Sequence, residues 1–325
     1  MKKIALIGIG GMGFVHYNAY KKLTGAKLIA VADPRLDMAK GKIGSDDVNL
    51  YASIEELFAN ETPDIVDVCT PSYMHADLSI YAMEHGCDVI CEKPMSVTVE
   101  DTDRIIAAMN KTGKTFMTAH VVRFMARYVY LKKVIDSGEL GKPVHIQMKR
   151  ISSVPRWSWE NWMRDVNKSG GAPIDLSIHD IDFAQYVFGA PKSVSGVHHA
   201  MKNDTDYLVS NLNYDGFTVT VIGGWYNADM PFNASYTAIF ENGVVISEGA
   251  TFTKNGQPIE IEVGEVSEDT GINLSGADGY GDEIAYFINC VERGVKPEKV
   301  TPESSQNSVK LVHEIMGNST LIELE

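Results

Sequence analysis

Two short stretches of this chain carry side chains that can hold or move a proton. In Asp88-Val89-Ile90-Cys91-Glu92-Lys93-Pro94, a strand-like apolar run ends in a charged pair followed by proline. Pro94 biases Lys93 away from helical backbone geometry and toward an extended one. A lysine held at a strand end can hydrogen-bond a substrate hydroxyl, and its pKa falls when the site is desolvated or shared with another cation. Glu-Lys-Pro is also a common surface tripeptide, so its weight depends on its surroundings. The second stretch, Gly170 to Asp182, carries Asp175 and His179. On a helix advancing about 100° per residue, Asp175, His179, Asp182 and Tyr186 share one stripe. Leu176, Ile178, Ile181, Phe183, Ala184, Val187 and Phe188 occupy much of the remaining circumference. Such a helix is predicted to be buried, with its polar stripe facing a cavity. A carboxylate one turn from a histidine orients the ring and favours imidazolium, as proton transfer near pH 7 requires. The bland alternative is a buried histidine satisfied by neighbouring acids. One histidine and two acids are also compatible with a metal, but no second histidine motif accompanies them, and no metal is expected.

The surroundings are set by Gly8-Ile9-Gly10-Gly11-Met12-Gly13, directly after the apolar run Ile4–Ile7. Gly8 permits a tight turn, Gly10 clears the backbone for a pyrophosphate, and Gly13 lets the next helix pack on the sheet. Phosphates then sit on the free N–H groups of the helix N-terminus. Gly8, Gly10, Met12 and Gly13 are therefore expected at a dinucleotide. Asp33 follows twenty residues after Gly13, at the end of the apolar run Leu28–Ala32. A carboxylate there accepts hydrogen bonds from ribose hydroxyls and repels a 2′-phosphate, so NAD is expected over NADP. Arg35 stands against this, because a guanidinium could pair with that phosphate.

Up to about residue 120 the pattern alternates strands with helices. Strands are predicted at Ile4–Ile7, Leu28–Asp33, Ile65–Thr70, Val89–Glu92 and Phe116–Ala119, with helix starts at Ser53-x-x-Glu56 and Thr98-x-x-Asp101. This implies a doubly wound parallel sheet, whose ligands collect beyond the carboxyl ends of the strands. Thr70 and Glu92 mark two such ends. After a helix over 125–137, strands are predicted at 144–151, 194–200, 207–214, 218–225, 235–240, 244–247 and 259–263. Asp215-Gly216 and Asn242-Gly243 are read as hairpin turns. Helices close the chain at 280–293 and 302–316. The fold class is α/β plus α+β, with a nucleotide-binding domain at 1–120 and a domain with an open, mostly antiparallel sheet at 121–325. Between Pro155 and Ser169 lies an aromatic segment with Trp157, Trp159 and Trp162. It is read equally as a wall for a sugar or cyclitol ring and as a packing plug between the domains.

A length of 325 residues accommodates two cores, and 44% hydrophobic with 22% charged residues is ordinary for a globular protein. The net charge of −14 argues against a nucleic-acid partner. No apolar run reaches the roughly 18–20 residues needed to span a bilayer. Met1-Lys2-Lys3 leads into a strand rather than a secretory signal, so a cytoplasmic protein is expected. Cys69, Cys87, Cys91 and Cys290 lack metal or redox spacing and are read as structural.

The ordered set Gly8-x-Gly10-x-x-Gly13, Asp33, Cys69-Thr70-Pro71 with His75, Glu92-Lys93-Pro94, and Gly-Gly-x-x-x-Asp175-x-x-x-His179 resembles the glucose-fructose oxidoreductase/inositol dehydrogenase (Gfo/Idh/MocA) family. Residues 132–141 also look like that family's first C-terminal-domain helix, and the resemblance covers nearly the whole chain. It implies that Lys93 orients substrate beside the nicotinamide, that His179 is the acid/base, and that Asp175 positions substrate. Thr70, Pro71, His75, Glu92 and Lys93 then line the cofactor, while Arg123 joins Lys93, Asp175 and His179 at the substrate; Trp162 of the aromatic segment, which the resemblance does not cover, is a further substrate candidate. The activity implied is hydride transfer between NAD and a sugar, sugar derivative or cyclic polyol. Dimers or tetramers through the C-terminal sheet are implied as well. Two rivals stand beside it: glycoside cleavage through transient oxidation, and a non-catalytic NAD-binding regulator.

Overall fold

The computed structural model describes residues 1–260 and 278–322. The chain forms two compact units, Met1–Val121 with Glu265–Gln306 and Val122–Gly264 with Asn307–Glu325. The break after Val121 lies beside the boundary read from the sequence. The return of a later segment to the first unit is new, because nothing in a local pattern tells which core a distant helix joins.

In the first unit, short apolar strands buried on both faces alternate with helices. They are β1 (Lys2–Ile7), α1 (Gly11–Tyr20), β2 (Ala26–Ala32), α2 (Leu36–Ile43), β3 (Asn49–Tyr51), α3 (Ile54–Asn60), β4 (Ile65–Val68), α4 (His75–Glu84), β5 (Asp88–Glu92), α5 (Val99–Thr112) and β6 (Phe116–Ala119). The six strands run parallel in the order β3-β2-β1-β4-β5-β6. The order reverses between β1 and β4, which places the ligand-binding crevice at their carboxyl ends. β3, only three residues long, went unread because it has no room to show a period. Both helix starts are capped as their sequences imply. Ser53 Oγ accepts the Glu56 N–H at 3.2 Å, and Thr98 Oγ1 accepts the Asp101 N–H at 3.1 Å.

The second unit opens with α6 (Ala126–Ser137), stopped by left-handed Gly138, and β7 (Pro143–Ser153). Then come α7 (Val166–Ser169), a π-helical turn at Pro173–Ser177, and α8 (Ile178–Phe188). The sheet continues with β8 (Ser193–Lys202), β9 (Thr205–Asn213), β10 (Thr218–Tyr226), β11 (Asn233–Phe240), β12 (Gly243–Glu248), β13 (Thr251–Lys254) and β14 (Gln257–Pro258). Later elements are α9 (Asp278–Arg293), α10 (Pro302–Asn318) and β15 (Ser319–Leu321). The sheet order is β14-β13-β12-β11-β7-β10-β9-β8-β15. Its pairs are antiparallel except β7 with β10 and β8 with β15. Alternate residues of β9 are buried, as one covered face requires. The strand expected at 259–263 mostly lies outside the described residues. Among the described residues, no helix is long and apolar enough to cross a membrane.

One hairpin differs from its sequence reading. Asp215-Gly216 turns β9 into β10 with Gly216 at φ 81°. Gly243, however, already pairs with Phe240, so Glu241 and Asn242 form the second turn, and neither has positive φ. Gly243 is small for another reason: a Cβ there would stand 2.4 Å from the Asn255 side chain.

The π-helical turn sits close on β10. A Cβ on Gly223 would lie 2.1 Å from Ser177 Oγ and 3.0 Å from its backbone nitrogen, so only glycine admits this approach. Gly223→Val is therefore expected to lower stability by about 2 kcal/mol or more by overpacking. Gly41→Ala, in α2 with nothing within 4 Å of the added Cβ, should be neutral or slightly stabilising. Denaturant melts of the two variants beside wild type check the contrast.

Candidate active site

In the first unit the glycine turn divides its labour by position. Gly8 has φ 86°, and a Cβ on it would sit 2.7 Å from the Cys69 carbonyl oxygen. A Cβ on Gly13 would lie 2.0 Å from the Gly8 oxygen, so both glycines are fixed by close approach. Gly10 is different: a Cβ there meets nothing within 4 Å. It leaves open space at the start of α1, where first-turn N–H groups have no helical partner and an anion is favoured. That space and those donors fit a dinucleotide pyrophosphate. Met12 lies half-buried in the same turn.

Asp33, one residue past β2, is 2% exposed and fully engaged. Its Oδ2 accepts the Ile9 N–H at 3.1 Å and Arg35 Nη2 at 3.0 Å, while Oδ1 accepts the Arg35 backbone N–H and Nε at 2.9 and 3.0 Å. Burial alone would raise its pKa, but Arg35 and the two backbone donors outweigh it and hold the carboxyl below the usual range. The guanidinium that could have recognised a 2′-phosphate is thus bound to the carboxylate that repels one. Lys42 was missed by the sequence reading. Its Nζ donates to the carbonyl oxygens of Ile9 and Gly10 at 2.9 and 2.7 Å, tying α2 to the turn. Burial, with Arg35 nearby, lowers its pKa. A lysine late in a short amphipathic helix gives no sequence signal for this.

At the ends of β4 and β5, Lys93 is half-buried and its neighbours are pinned. Glu92 Oε2 accepts the Lys93 backbone N–H at 3.0 Å. His75, 1% exposed, places Nδ1 2.7 Å from the Pro94 carbonyl oxygen and Nε2 3.0 Å from that of Thr70. Burial holds its pKa below the ordinary histidine value. His75 therefore sits between the two strand ends, where a neutral ring donates to one of the two carbonyls, and Thr70 and Pro71 remain half-buried beside them.

Behind Glu92 lies a buried polar cluster that the sequence reading did not find. His16 of α1 places Nδ1 2.8 Å from Asp67 Oδ2 and Nε2 3.1 Å from Glu92 Oε1. Tyr20 donates to the same Asp67 oxygen at 2.8 Å, and Cys69 Sγ lies 3.3 Å from its Oδ1. Burial would lower the His16 pKa, but the Asp67 and Cys69 charges and hydrogen bonds raise it well above the ordinary value. Burial would likewise raise Glu92, and His16 reverses that. The available signal was Asp67 itself, a charge inside the buried run Ile65-Val66-Asp67-Val68, which requires a partner. Glu283 of α9 is fully buried, and neither carboxyl oxygen has a hydrogen-bond partner among the described residues. Burial and the Glu92 and Asp67 charges push its pKa well up.

The second unit corrects the helical stripe. Gly170 and Gly171 have φ 74° and 70°, and Asp206 Oδ2 accepts the Ala172 N–H at 2.7 Å, closing the helix start from β9. The π-helical turn then widens the helix through Asp175, so 100° steps do not describe it. Asp175 is 8% exposed and His179 is half-buried. Asp182 faces no cavity: it is fully buried, held by Arg123 Nε and Nη2 at 2.8 and 2.6 Å and by Ser308 Oγ at 2.7 Å. Arg123, expected at substrate, is 3% exposed, with its guanidinium 4.7 Å from the centre of the Tyr186 ring. Its charge anchors α8. Arg150 grips Asp180 and Tyr128 in a second buried group. Trp162 packs against the buried cluster of Val154, Met163, Ala172, Leu176 and Trp225, all in the second unit, while Trp157 is exposed.

Burial and the neighbouring carboxylates favour the protonated form of Glu283 in the folded chain, whereas the unfolded chain ionises it above about pH 4.3. The buried carboxyl therefore opposes folding from that pH upward through its raised folded value. Glu283→Gln is expected to raise the thermal midpoint at pH 7.5 by about 2 °C or more, with the gain closing as the pH falls toward 4. Thermal melts across that range check it, and an equal midpoint at pH 7.5 would contradict it.

Comparison with known proteins agrees with this geometry. Residues 2–120 match the oxidoreductase family with an NAD-binding Rossmann fold, and residues 128–263 match the GFO/IDH/MocA C-terminal domain. The chain is 30% identical to a 2,7-anhydro-N-acetylneuraminate hydratase of Mediterraneibacter gnavus, over 65% of this chain and 58% of that protein. It is 27% identical to a scyllo-inositol 2-dehydrogenase (NAD(+)) of Bacillus subtilis, over 91% of this chain and 87% of that one. A scyllo-inositol dehydrogenase from Lactobacillus casei, solved with NAD(H) and scyllo-inositol, shares the fold with a TM-score of 0.78 at 20% identity, covering 98% and 97% of the two chains. With both of its domains matched and a dinucleotide turn of this geometry, the chain belongs to the Gfo/Idh/MocA family of NAD-binding oxidoreductases.

Proposed function

We propose that this chain is an NAD-dependent dehydrogenase of a sugar, sugar derivative or cyclic polyol, with Lys93, His179 and Asp175 as its working side chains. The observation that carries the reading is the half-buried Lys93, one residue past β5 at the binding edge of the parallel sheet, with its backbone N–H held by Glu92. NAD bound at the glycine turn would supply the hydride acceptor. In the oxidative direction His179 takes the hydroxyl proton of the reacting carbinol as general base. Lys93 holds the same oxygen and stabilises the negative charge that develops on it as the C–H bond breaks. Asp175, four residues before His179 in the π-helical turn, positions the ring and the substrate. In reduction the same atoms run in reverse, with His179 returning the proton.

The reading is supported by the names of relatives such as the scyllo-inositol dehydrogenase, and the hydratase relative keeps a second reading in view. There, transient oxidation would help break a glycosidic or ether bond, and no NADH would accumulate. A panel of cyclitols and sugars, followed at the NADH absorbance band with product counted in parallel, separates the two. One NADH per product supports the dehydrogenase. Four free, buried cysteines fit a cytoplasmic location.

Lys93→Ala and His179→Ala are each expected to lower turnover at least ~10²-fold while NADH still binds. Fluorescence titration with NADH beside steady-state rates checks both halves. Wild-type-like turnover from both variants would remove them from the mechanism.

We further propose that copies associate through the less covered face of the nine-stranded sheet, where Ile239 is 40% exposed. Light scattering after size exclusion should give a dimer or tetramer, and Ile239→Lys should shift it toward monomer.

A further inference from the structure

The six ionisable groups of the cluster around Glu92 do not take part in the proton transfer described above, yet all six are buried. They come from four directions. α1 supplies His16 and Tyr20, the β4 edge supplies Asp67 and Cys69, β5 supplies Glu92, and α9 supplies Glu283. Tyr280, also of α9, stands with its ring centre 6.3 Å from that of His16.

The geometry at His16 fixes its proton count. Each ring nitrogen faces a carboxylate oxygen, at 2.8 Å on the Asp67 side and 3.1 Å on the Glu92 side. An ionised carboxylate only accepts, and a neutral imidazole has one N–H. A neutral ring would set one lone pair against another, so both contacts are satisfied by an imidazolium. His16 Nδ1, Asp67 and Cys69 Sγ also lie within 4.8 Å of one another, close enough for a metal. The 2.8 Å separation of Nδ1 and Oδ2 is instead the length of a charge-assisted hydrogen bond.

We propose that His16 is a positioning residue for Lys93, its imidazolium bridging Asp67 and Glu92 so that the far oxygen of Glu92 holds the Lys93 backbone N–H. The chain of contacts is continuous: Asp67 to His16, His16 to Glu92 Oε1, Glu92 Oε2 to Lys93 N at 3.0 Å. Tyr20 and Cys69 hold Asp67 in place, donating to its two oxygens. The same α1 begins at the glycine turn, so one ring ties the pyrophosphate helix to the strand end that presents Lys93. Loss of the bridge lets Glu92 rotate, and Lys93 moves without losing its own ammonium. That part of the inference rests on Lys93 being a working residue, as proposed above.

The test has two arms. Nitrogen-15 spectra of histidine-labelled protein, with the His16 signals assigned by their absence in His16→Gln and by their shift in Glu92→Gln, read the ring directly. Both nitrogens should carry protons from pH 6 to pH 9. Titration of His16 to a neutral ring below pH 8, or stoichiometric zinc in the purified protein, would overturn the proposal. The second arm is a double-variant cycle on turnover. His16→Gln and Glu92→Gln should each slow it by ~10-fold, as a small misplacement of a working group does. The double variant should fall within about twofold of Glu92→Gln alone, because the two residues act in series. Multiplying losses would mark His16 as a general stability residue and sink the positioning role. If no polyol is turned over by wild type, the polyol reading fails while the spectra still decide the state of His16.

Discussion

A single buried imidazole holds together the parts of the first unit that matter for chemistry. His16 reaches from the helix of the glycine turn to Asp67 on one parallel strand and Glu92 on the next. Such a cluster is expensive to desolvate, and its members hold together only while every hydrogen-bonding position is filled. Removing one partner of a buried ion pair typically costs about 3–5 kcal/mol, because the other charge is left stranded. This constraint explains the local architecture. Asp67 accepts three donors, and Glu92 is ionised despite its burial. The strand end carrying Lys93 is fixed from behind through its backbone N–H. Around it, smaller devices repeat the theme. His75 sits between two carbonyls at the strand ends, Lys42 grips two carbonyls of the turn, and Arg35 locks Asp33.

The second unit solves the same problem with paired charges on one helix. Adjacent acids of α8 are taken in different directions, Asp180 by Arg150 and Asp182 by Arg123. With α8 fixed from two sides, the wide turn before it can be seated on β10 only because Gly223 has no side chain. Irregular turns of this kind, stabilised by contacts elsewhere, are common where a helix must present a residue at a particular angle. Here the turn carries Asp175 and leads into His179, the two side chains proposed to work at the substrate.

Much of this was legible in the sequence, and what was not has definite physical causes. Gly8, Gly13 and Asp33 could be read because each meets a steric or electrostatic demand at fixed spacing, and the structure shows the close approaches that impose it. The strand and helix order was legible through period and capping. The stripe through Asp182 was misread because a regular helical step was assumed where the backbone widens, and because Arg123 lies far away in sequence. Arg35 was weighed as a free cation, whereas its position two residues past Asp33 lets it close on that carboxylate. His16 was invisible for a simpler reason: partners 51 and 76 residues away leave no local pattern, and only the misplaced charge of Asp67 hinted at them. The aromatic segment could not be assigned from composition, since packing and ligand stacking call for the same residues. In the structure Trp162 packs on the core, and Arg156 and Arg164 both close on Asp204.

The central claim is that a carbinol hydride passes to the cofactor held at the glycine turn and stays there as product. The most direct measurement is oxidation of a cyclitol or sugar deuterated at the reacting carbon, with mass spectrometry of the nicotinamide recovered at the end. The account predicts one deuterium on the reduced nicotinamide for each molecule of ketone formed. Product appearing without labelled NADH, with the deuterium returned to the product or lost to water, would contradict it.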